Sequence, residues 1–252
     1  MLNHRIDGSR GPRLLLLHPI GLDLTCFDRL VAALQGRYAI LRVDANGHGG
    51  SPPTPGPADL DAYAAEIHAT ITSLEWVPTA VIGFSFGGML AQTLALAQPP
   101  DVDALVIGAC ASTFSAEARR AIAARGEKAA AEGMAAVVDA TLERWFSRDA
   151  LGTDAAAAVR RRLLSDNVGA WVRAWRAIAG IDTAPRLGSI AVPTLCIAGG
   201  ADRSAPPPVV EAIARAIPSA RFEVIPRAPH MLFIEQPHEV AALLDDFLGR
   251  GA

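Results

Sequence analysis

The stretch Thr79-Ala-Val-Ile-Gly83-Phe-Ser85-Phe-Gly87-Gly88-Met-Leu-Ala constrains the fold of this chain more than any other. A short apolar run enters Gly-x-Ser-x-Gly, and a helix-favouring run leaves it. That order describes a strand turning sharply into a helix, with a serine exposed on a strained turn. The flanking glycines let the two backbones pass without a Cβ clash. Because the helix starts just beyond Ser85, its free N–H groups and positive dipole end face any negative charge that develops there. With 22 glycines in 252 residues, the five-residue motif carries modest information alone. Its strand-before, helix-after setting is what points to a nucleophile rather than to a serine capping a glycine-rich turn.

The rest of the chain alternates in the same way. Short apolar runs at 14–17, 39–43, 80–82, 104–107, 194–198 and 222–225 are bounded by Gly, Pro or Asp. Such continuous runs mark strands covered on both faces. Helical patterns occupy 27–34, 60–74, 87–97, 209–217 and 240–248. The alternation predicts an α/β fold with a mostly parallel, doubly wound sheet. One segment breaks it: residues 115–182 contain no strand pattern but hold Arg119, Arg120, Arg144, Arg160–Arg162 and three of the four tryptophans, Trp145, Trp171 and Trp175. The predicted organisation is a core of residues 1–114 and 183–252, with 115–182 as a helical cap over the carboxyl ends of the strands, where open sheets bind ligands.

Composition narrows the function. Lys and Arg number 23 against 26 Asp and Glu, for a net charge of −3, so a nucleic-acid partner is not expected. No apolar run approaches the ~20 residues of a membrane span, and residues 1–11 lack the pattern of a secretory leader. Cys26, Cys110 and Cys196 are odd in number and widely spaced, arguing against a disulfide framework or a zinc site. The expectation is a cytoplasmic protein needing neither metal nor cofactor, with homo-oligomer formation left open.

A serine hydroxyl needs a base to take its proton and an acid to orient that base. Asp202 follows the run 194–198 through Gly199-Gly200-Ala201, and His230 follows the last strand in Ile225-Pro-Arg-Ala-Pro-His230-Met. Both are expected in loops at strand ends, in the chain order Ser, Asp, His. Asp103 precedes its strand and belongs at the opposite end of the sheet. His68 and His238 fall on helices, and Asp182 is a second choice for the acid. For the oxyanion the backbone N–H of Phe86 offers one donor. The loop His18-Pro19-Ile20-Gly21 offers the other; Pro19 has no N–H, so Ile20 is chosen. His18 reads as structural, and Asp44-Ala-Asn46-Gly47-His48-Gly-Gly-Ser51 as a hydrogen-bonded scaffold loop. Leu22, Phe86, Trp145, Met231 and Phe233 are candidate walls of a substrate pocket.

The succession His18-Pro-Ile-Gly, Asp44-x-x-Gly47-His48-Gly49-x-Ser51, Gly83-x-Ser85-x-Gly87-Gly88, Asp202, His230 resembles the α/β-hydrolase superfamily along essentially the whole chain. A serine rather than an aspartate at position 85 separates it from the haloalkane dehalogenase and epoxide hydrolase branches. Gly133-Met-Ala-Ala-Val-Val-Asp-Ala-Thr-Leu-Glu143-Arg-Trp145-Phe, Gly21-Leu-Asp23-Leu and Ile234-Glu-Gln-Pro237 resemble the 3-oxoadipate enol-lactonases most closely. The chain departs from that family at His18-Pro19, where Asn-Ser is usual, at Asn46, where arginine is usual, and at Ile178-Ala179-Gly180, where Ile-Arg-Asp is usual. Two cationic positions are thereby lost, for which Arg144, Arg173 or Arg176 are candidates to compensate. The resemblance implies hydrolysis of a small lactone or ester through an acyl-enzyme. The competing expectations are a general carboxylesterase or C–C bond hydrolase with the same three residues, and a ligand-binding receptor that retains them with little turnover.

Overall fold

The computed structural model describes residues 1–34, 36–56, 59–97, 102–218 and 220–249. Its strands are β1 (His4–Asp7), β2 (Arg13–Leu17), β3 (Ala39–Val43), β4 (Ala80–Phe84), β5 (Ala104–Gly108), β6 (Thr194–Gly199) and β7 (Arg221–Ile225). They form one sheet in the order β1-β3-β2-β4-β5-β6-β7. Only the pairing of β1 with β3 is antiparallel. Strands β3 to β6 are buried at every residue, as their uninterrupted apolar runs require.

The helices are α1 (Asp28–Ala33), α2 (Leu60–Ser73), α3 (Phe86–Leu96), α4 (Ala116–Glu132), α5 (Ala135–Trp145), α6 (Asp154–Leu164), α7 (Val168–Ala179), α8 (Pro207–Ala216), α9 (Leu232–Glu235) and α10 (Pro237–Gly249). After β3 the chain returns past β2 to place β4, so the direction of strand addition reverses between β2 and β4. Right-handed crossovers then put α1 on one face and α2, α3 and α8 on the other. The packing agrees: α1 lies against α10, and α2 against α3. A reversal of this kind opens a crevice at the carboxyl ends of the strands, between β2 and β4.

Three local readings of the sequence need correction. The start of the chain carries a strand, β1, which the polar pattern of His4-Arg5-Ile6-Asp7 conceals because an edge strand keeps only one partner and stays partly wet. The helix expected at 27–34 begins one residue later, after a 3-10 turn at Leu24–Phe27 capped by the Asp23 side chain. Helix α8 also starts earlier than expected, because prolines at its first positions lack only an N–H that a first turn cannot use.

Between β5 and β6, α4 to α7 form an all-helical insertion. Its two stems are joined at the base by a bridge between Thr113 and Asp182. Gln92 of α3 fixes this neck, donating to the Ala111 carbonyl (3.2 Å) and accepting from the Thr183 hydroxyl (2.6 Å). At the far side, Ser147 donates from its N–H (2.9 Å) and hydroxyl (2.7 Å) to the Glu235 carboxylate. Asp182, the second-choice acid, is thus held at the neck, where it accepts from the Thr113 hydroxyl at 3.0 Å.

The edge strand is secured by charge. Arg42, on β3 and 1% exposed, donates to Asp7 of β1 (2.7 Å), to Asp28 of α1 (2.5 Å) and to the Leu24 carbonyl (2.8 Å). Removing one partner of a buried ion pair costs more than replacing the buried charge by an apolar chain. Asp7→Ala is therefore expected to lower unfolding free energy by about 2–4 kcal/mol and Arg42→Met by less, as read from urea unfolding.

Candidate active site

Ser85 occupies the single residue between β4 and α3, with φ 55° and ψ −118°. The glycines around it are required by contact. A Cβ at Gly83 would lie 2.0 Å from the Gly87 carbonyl oxygen, and one at Gly87 would lie 2.0 Å from that of Leu17. The turn is pinned by a hydrogen bond from Ser85 N–H to the Gly108 carbonyl at 2.8 Å. The backbone of residue 85 is therefore held in a region that side chains disfavour by about 1–3 kcal/mol. Ser85→Gly is expected to unfold at a higher urea concentration than Ser85→Ala, since only glycine relieves that strain; equal midpoints would contradict it.

His230 and Asp202 come from the loops after β7 and β6. These loops are laced together by hydrogen bonds from Gly200 N–H to the Ile225 carbonyl and from Ala201 N–H to the Ala228 carbonyl, both 2.9 Å. Side chains at position 199 are excluded, because a Cβ there would sit 2.4 Å from the Ala228 carbonyl. The result is a continuous chain of contacts: His230 Nε2 lies 2.9 Å from Ser85 Oγ, and His230 Nδ1 lies 2.8 Å from Asp202 Oδ2. The other Asp202 oxygen accepts from the N–H groups of Ser204 (2.7 Å) and Ala205 (3.0 Å). Burial works to raise the Asp202 pKa, but His230 and these two N–H groups outweigh it and hold the carboxyl below its ordinary value. An ionised Asp202 accepting from Nδ1–H leaves Nε2 free to face the serine proton.

Ser85 and His230 line a small cavity of about 80 Å³ together with Ile20, Trp145, Trp175 and Arg125. The Trp145 ring sits 6.2 Å from the His230 ring, centroid to centroid, and the Trp145 carbonyl accepts from Met231 N–H at 3.1 Å. The other four expected walls lie elsewhere. Phe233 packs between Phe27 and Phe84 in the core, and Met231 is fully buried without lining the cavity. Leu22 faces a separate pocket beside α6. The Phe86 side chain also turns inward, against Tyr63 and His48, which leaves its backbone at the first turn of α3 beside Ser85. Apolar residues near a catalytic motif belong to the core as readily as to a pocket, and their sequence gives no sign of the difference. Arg125 was not singled out by the sequence, since it sits in an Ala-rich helix among several arginines.

The loop after β2 is set by His18. Its Nε2 accepts from Ala45 N–H (2.9 Å), so Nδ1 carries the proton and donates to the Pro19 carbonyl (2.7 Å). Pro19 also accepts from Leu22 N–H at 3.2 Å, closing a turn with Gly21 at φ 70° and Ile20 at its crest. Asp44 accepts from Leu24 N–H (2.6 Å), Gly50 N–H (2.8 Å) and Asn3 (2.6 Å), which makes its loop a scaffold joining β1 to the site. Asn46 pairs with Glu66 at 2.8 Å, away from the cavity.

The Alpha/beta hydrolase family matches residues 14–243, so the chain belongs to that family. It is 30% identical over 254 residues to polyketide synthase ThaQ of Burkholderia thailandensis, covering 96% of this chain but 12% of that much longer protein. It is 28% identical to 3-oxoadipate enol-lactonase 1 of Acinetobacter baylyi, over 98% of this chain and 92% of that one. It shares 28% identity with a pimeloyl-[acyl-carrier protein] methyl ester esterase of Aeromonas hydrophila, over 96% and 97% of the two chains. The crystal structure of an enol-lactonase from Burkholderia xenovorans superposes with a TM-score of 0.91 at 28% identity, covering 98% of this chain and 96% of that one. No helix among the described residues is long and apolar enough to cross a membrane.

Two buried ionisable groups respond to acid in opposite directions. Burial, then the neighbouring His18, lowers the pKa of His48 to about 3. The unfolded chain takes up that proton first, so this contribution is complete above about pH 6.5 and lost as pH falls towards 3. Asp166 is pushed up to about 7 by burial against the pull of Arg162. Its folded form holds the proton longer than the unfolded chain does, so its contribution is present in acid and lost as pH rises from about 4 to 7. His48→Gln should flatten the rise of unfolding free energy between pH 4 and 6.5 by about one proton, roughly 1.4 kcal/mol per pH unit. Asp166→Asn should steepen it. Urea unfolding across that range checks both signs.

Proposed function

We propose that this protein is a serine hydrolase of small esters or lactones, acting through an acyl-enzyme. The observation that carries the reading is the contact chain from Ser85 through His230 to Asp202, built on a strained turn. In this mechanism His230 Nε2 takes the proton of the Ser85 hydroxyl as its oxygen attacks the substrate carbonyl. Asp202 orients the ring and stabilises the imidazolium that forms. The backbone N–H groups of Ile20 and Phe86 receive the oxyanion. His230 returns its proton to the leaving oxygen, and water, activated by the same histidine, releases the acid and restores Ser85. Residues 115–182 act as the cap, since their helix α5 delivers Trp145 against His230 and their neck is tied to α3.

Lactone hydrolysis is favoured by the similarity to enol-lactonases over nearly the whole chain. A simple carboxylesterase is the second reading, supported by comparable similarity to a methyl ester esterase. Their ratio of kcat/KM on an enol-lactone against nitrophenyl esters of increasing chain length separates them: a preference for simple esters beyond ~10-fold rejects the lactonase. A fluorophosphonate probe should label the protein on Ser85, and Ser85→Ala should abolish both labelling and more than ~10³-fold of turnover. A folded protein that resists the probe would instead be a binding protein with an idle triad. Asp202→Asn is expected to lower kcat by about 10³–10⁴-fold, by presenting the wrong imidazole tautomer to Ser85.

A further inference from the structure

The turn that carries Ile20 is gripped from the helical insertion. Gly21, at φ 70°, lies so close to it that a Cβ there would sit 2.5 Å from the Trp171 ring, 2.6 Å from the Leu163 side chain and 3.1 Å from Asp166 Oδ2. Two residues on, Asp23 accepts from Thr25 N–H at 2.9 Å through Oδ1. Its other oxygen meets α6: Arg162 Nε lies 2.8 Å from Asp23 Oδ2. A second guanidinium nitrogen of Arg162 donates to Asp166 Oδ1 at 2.7 Å. The Nε–H is not aimed at Asp23, so that link is one of charge rather than a hydrogen bond. The side chains of Arg162, Asp23 and Asp166 are 18%, 16% and 2% exposed, so salt and water screen them far less than a surface pair.

Apolar packing does not make this joint by itself. Between α6 and the turn lies a cavity of about 170 Å³, lined by Ala155, Ala158 and Val159 of the helix and by Leu22, Thr25 and Cys26. Asp23 and Arg162 line it too, and their ion pair links helix to turn where apolar contact is interrupted. Core contacts hold the two ends of the turn, His18 at the Pro19 carbonyl and Asp44 at the Leu24 N–H. Inside that interval, where Ile20 stands, the charged contact with the insertion is Arg162 to Asp23.

We propose that Arg162 is a positioning residue for the oxyanion donor at Ile20, acting through Asp23. The insertion then sets the geometry of the reaction from outside the cavity, since a donor displaced by a fraction of an ångström stabilises the oxyanion less. Asp166 fixes the other end of the guanidinium. The assignment rests on the hydrolase reading, with Ile20 as a donor in it, but the state of the turn can be read without turnover.

Hydrolysis of a neutral nitrophenyl ester is compared in the wild type, Arg162→Met, Arg162→Lys and Asp23→Asn. Acylation and deacylation both pass through an oxyanion, so kcat should fall about 10- to 100-fold in Arg162→Met and Asp23→Asn, with KM within about threefold. Arg162→Lys, which keeps a charge but not the fork, should recover part of kcat. The double variant should be no more than about threefold slower than the slower single one, and losses that multiply overturn the proposal. Arg160→Met removes the exposed pair with Asp139 from the same helix. It should leave kcat within about twofold, and an equal loss there would trace the effect to the insertion as a whole and overturn the proposal. Should Arg162→Met not fold, Asp23→Asn carries the comparison, because the asparagine oxygen still accepts from Thr25 N–H.

Hydrogen exchange at the Leu22 N–H, which closes the turn onto the Pro19 carbonyl at 3.2 Å, supplies a readout free of catalysis. Measured by NMR, it should quicken about 10- to 100-fold in Arg162→Met and Asp23→Asn. Ester hydrolysis with kcat and exchange unchanged in both variants would remove the positioning role and leave the hydrolase standing. Faster exchange in a protein that hydrolyses no ester would remove the hydrolase reading and leave the grip on the turn.

Discussion

The site depends on how closely one helix approaches the strands beside it. The start of α3 is pressed so tightly against the ends of β4 and β2 that neither position 83 nor position 87 has room for a Cβ. That approach holds Ser85 at φ 55° and directs the first turn of the helix towards the crevice between β2 and β4. It also brings the carbonyls of Leu17 and His18 against Gly87, so the loop carrying Ile20 starts from a fixed point. Strain at one residue is sustained because the sheet on either side is packed without exposure.

Around this contact, polar groups are spent on fixing loops. His18 ties Pro19 to Ala45, and Asp44 ties Leu24 and Gly50 to the N-terminal strand. Gln92 grips both stems of the insertion, and Glu235 holds the end of α5 through Ser147. The proposed acid and base are placed by the same means, since their loops exchange backbone hydrogen bonds before any side chain is involved. A constellation whose reach depends on tenths of an ångström is thus set by backbone geometry.

The inner strands were legible because each is buried on both faces, and a doubly buried strand must be written in apolar residues throughout. Ser85, Asp202 and His230 were legible because strand ends punctuate them with glycine and proline. β1 was hidden, as its edge position permits the polar residues that elsewhere signal a loop, and its anchor is the charge of Arg42 inside an otherwise apolar run. Met231 and Phe233 follow the histidine as closely as a pocket residue would, yet the short helix α9 turns them into the core. Arg125 was masked by its neighbours: an arginine-rich helix looks alike at every arginine until the partners of each are known.

Local pattern by itself determined the fold class, the strand-to-helix turn at Ser85 and the order of the three polar residues, because strand burial, helix starts and turns are properties of short segments. Tertiary structure alone decided which aromatic side chains face the cavity, that Asp182 closes the neck rather than approaching His230, and that Arg125 lines the cavity that holds Ser85. Those outcomes depend on which surfaces α4 to α7 present to the sheet and to one another. Segments distant in the chain share that environment, and no single segment encodes it.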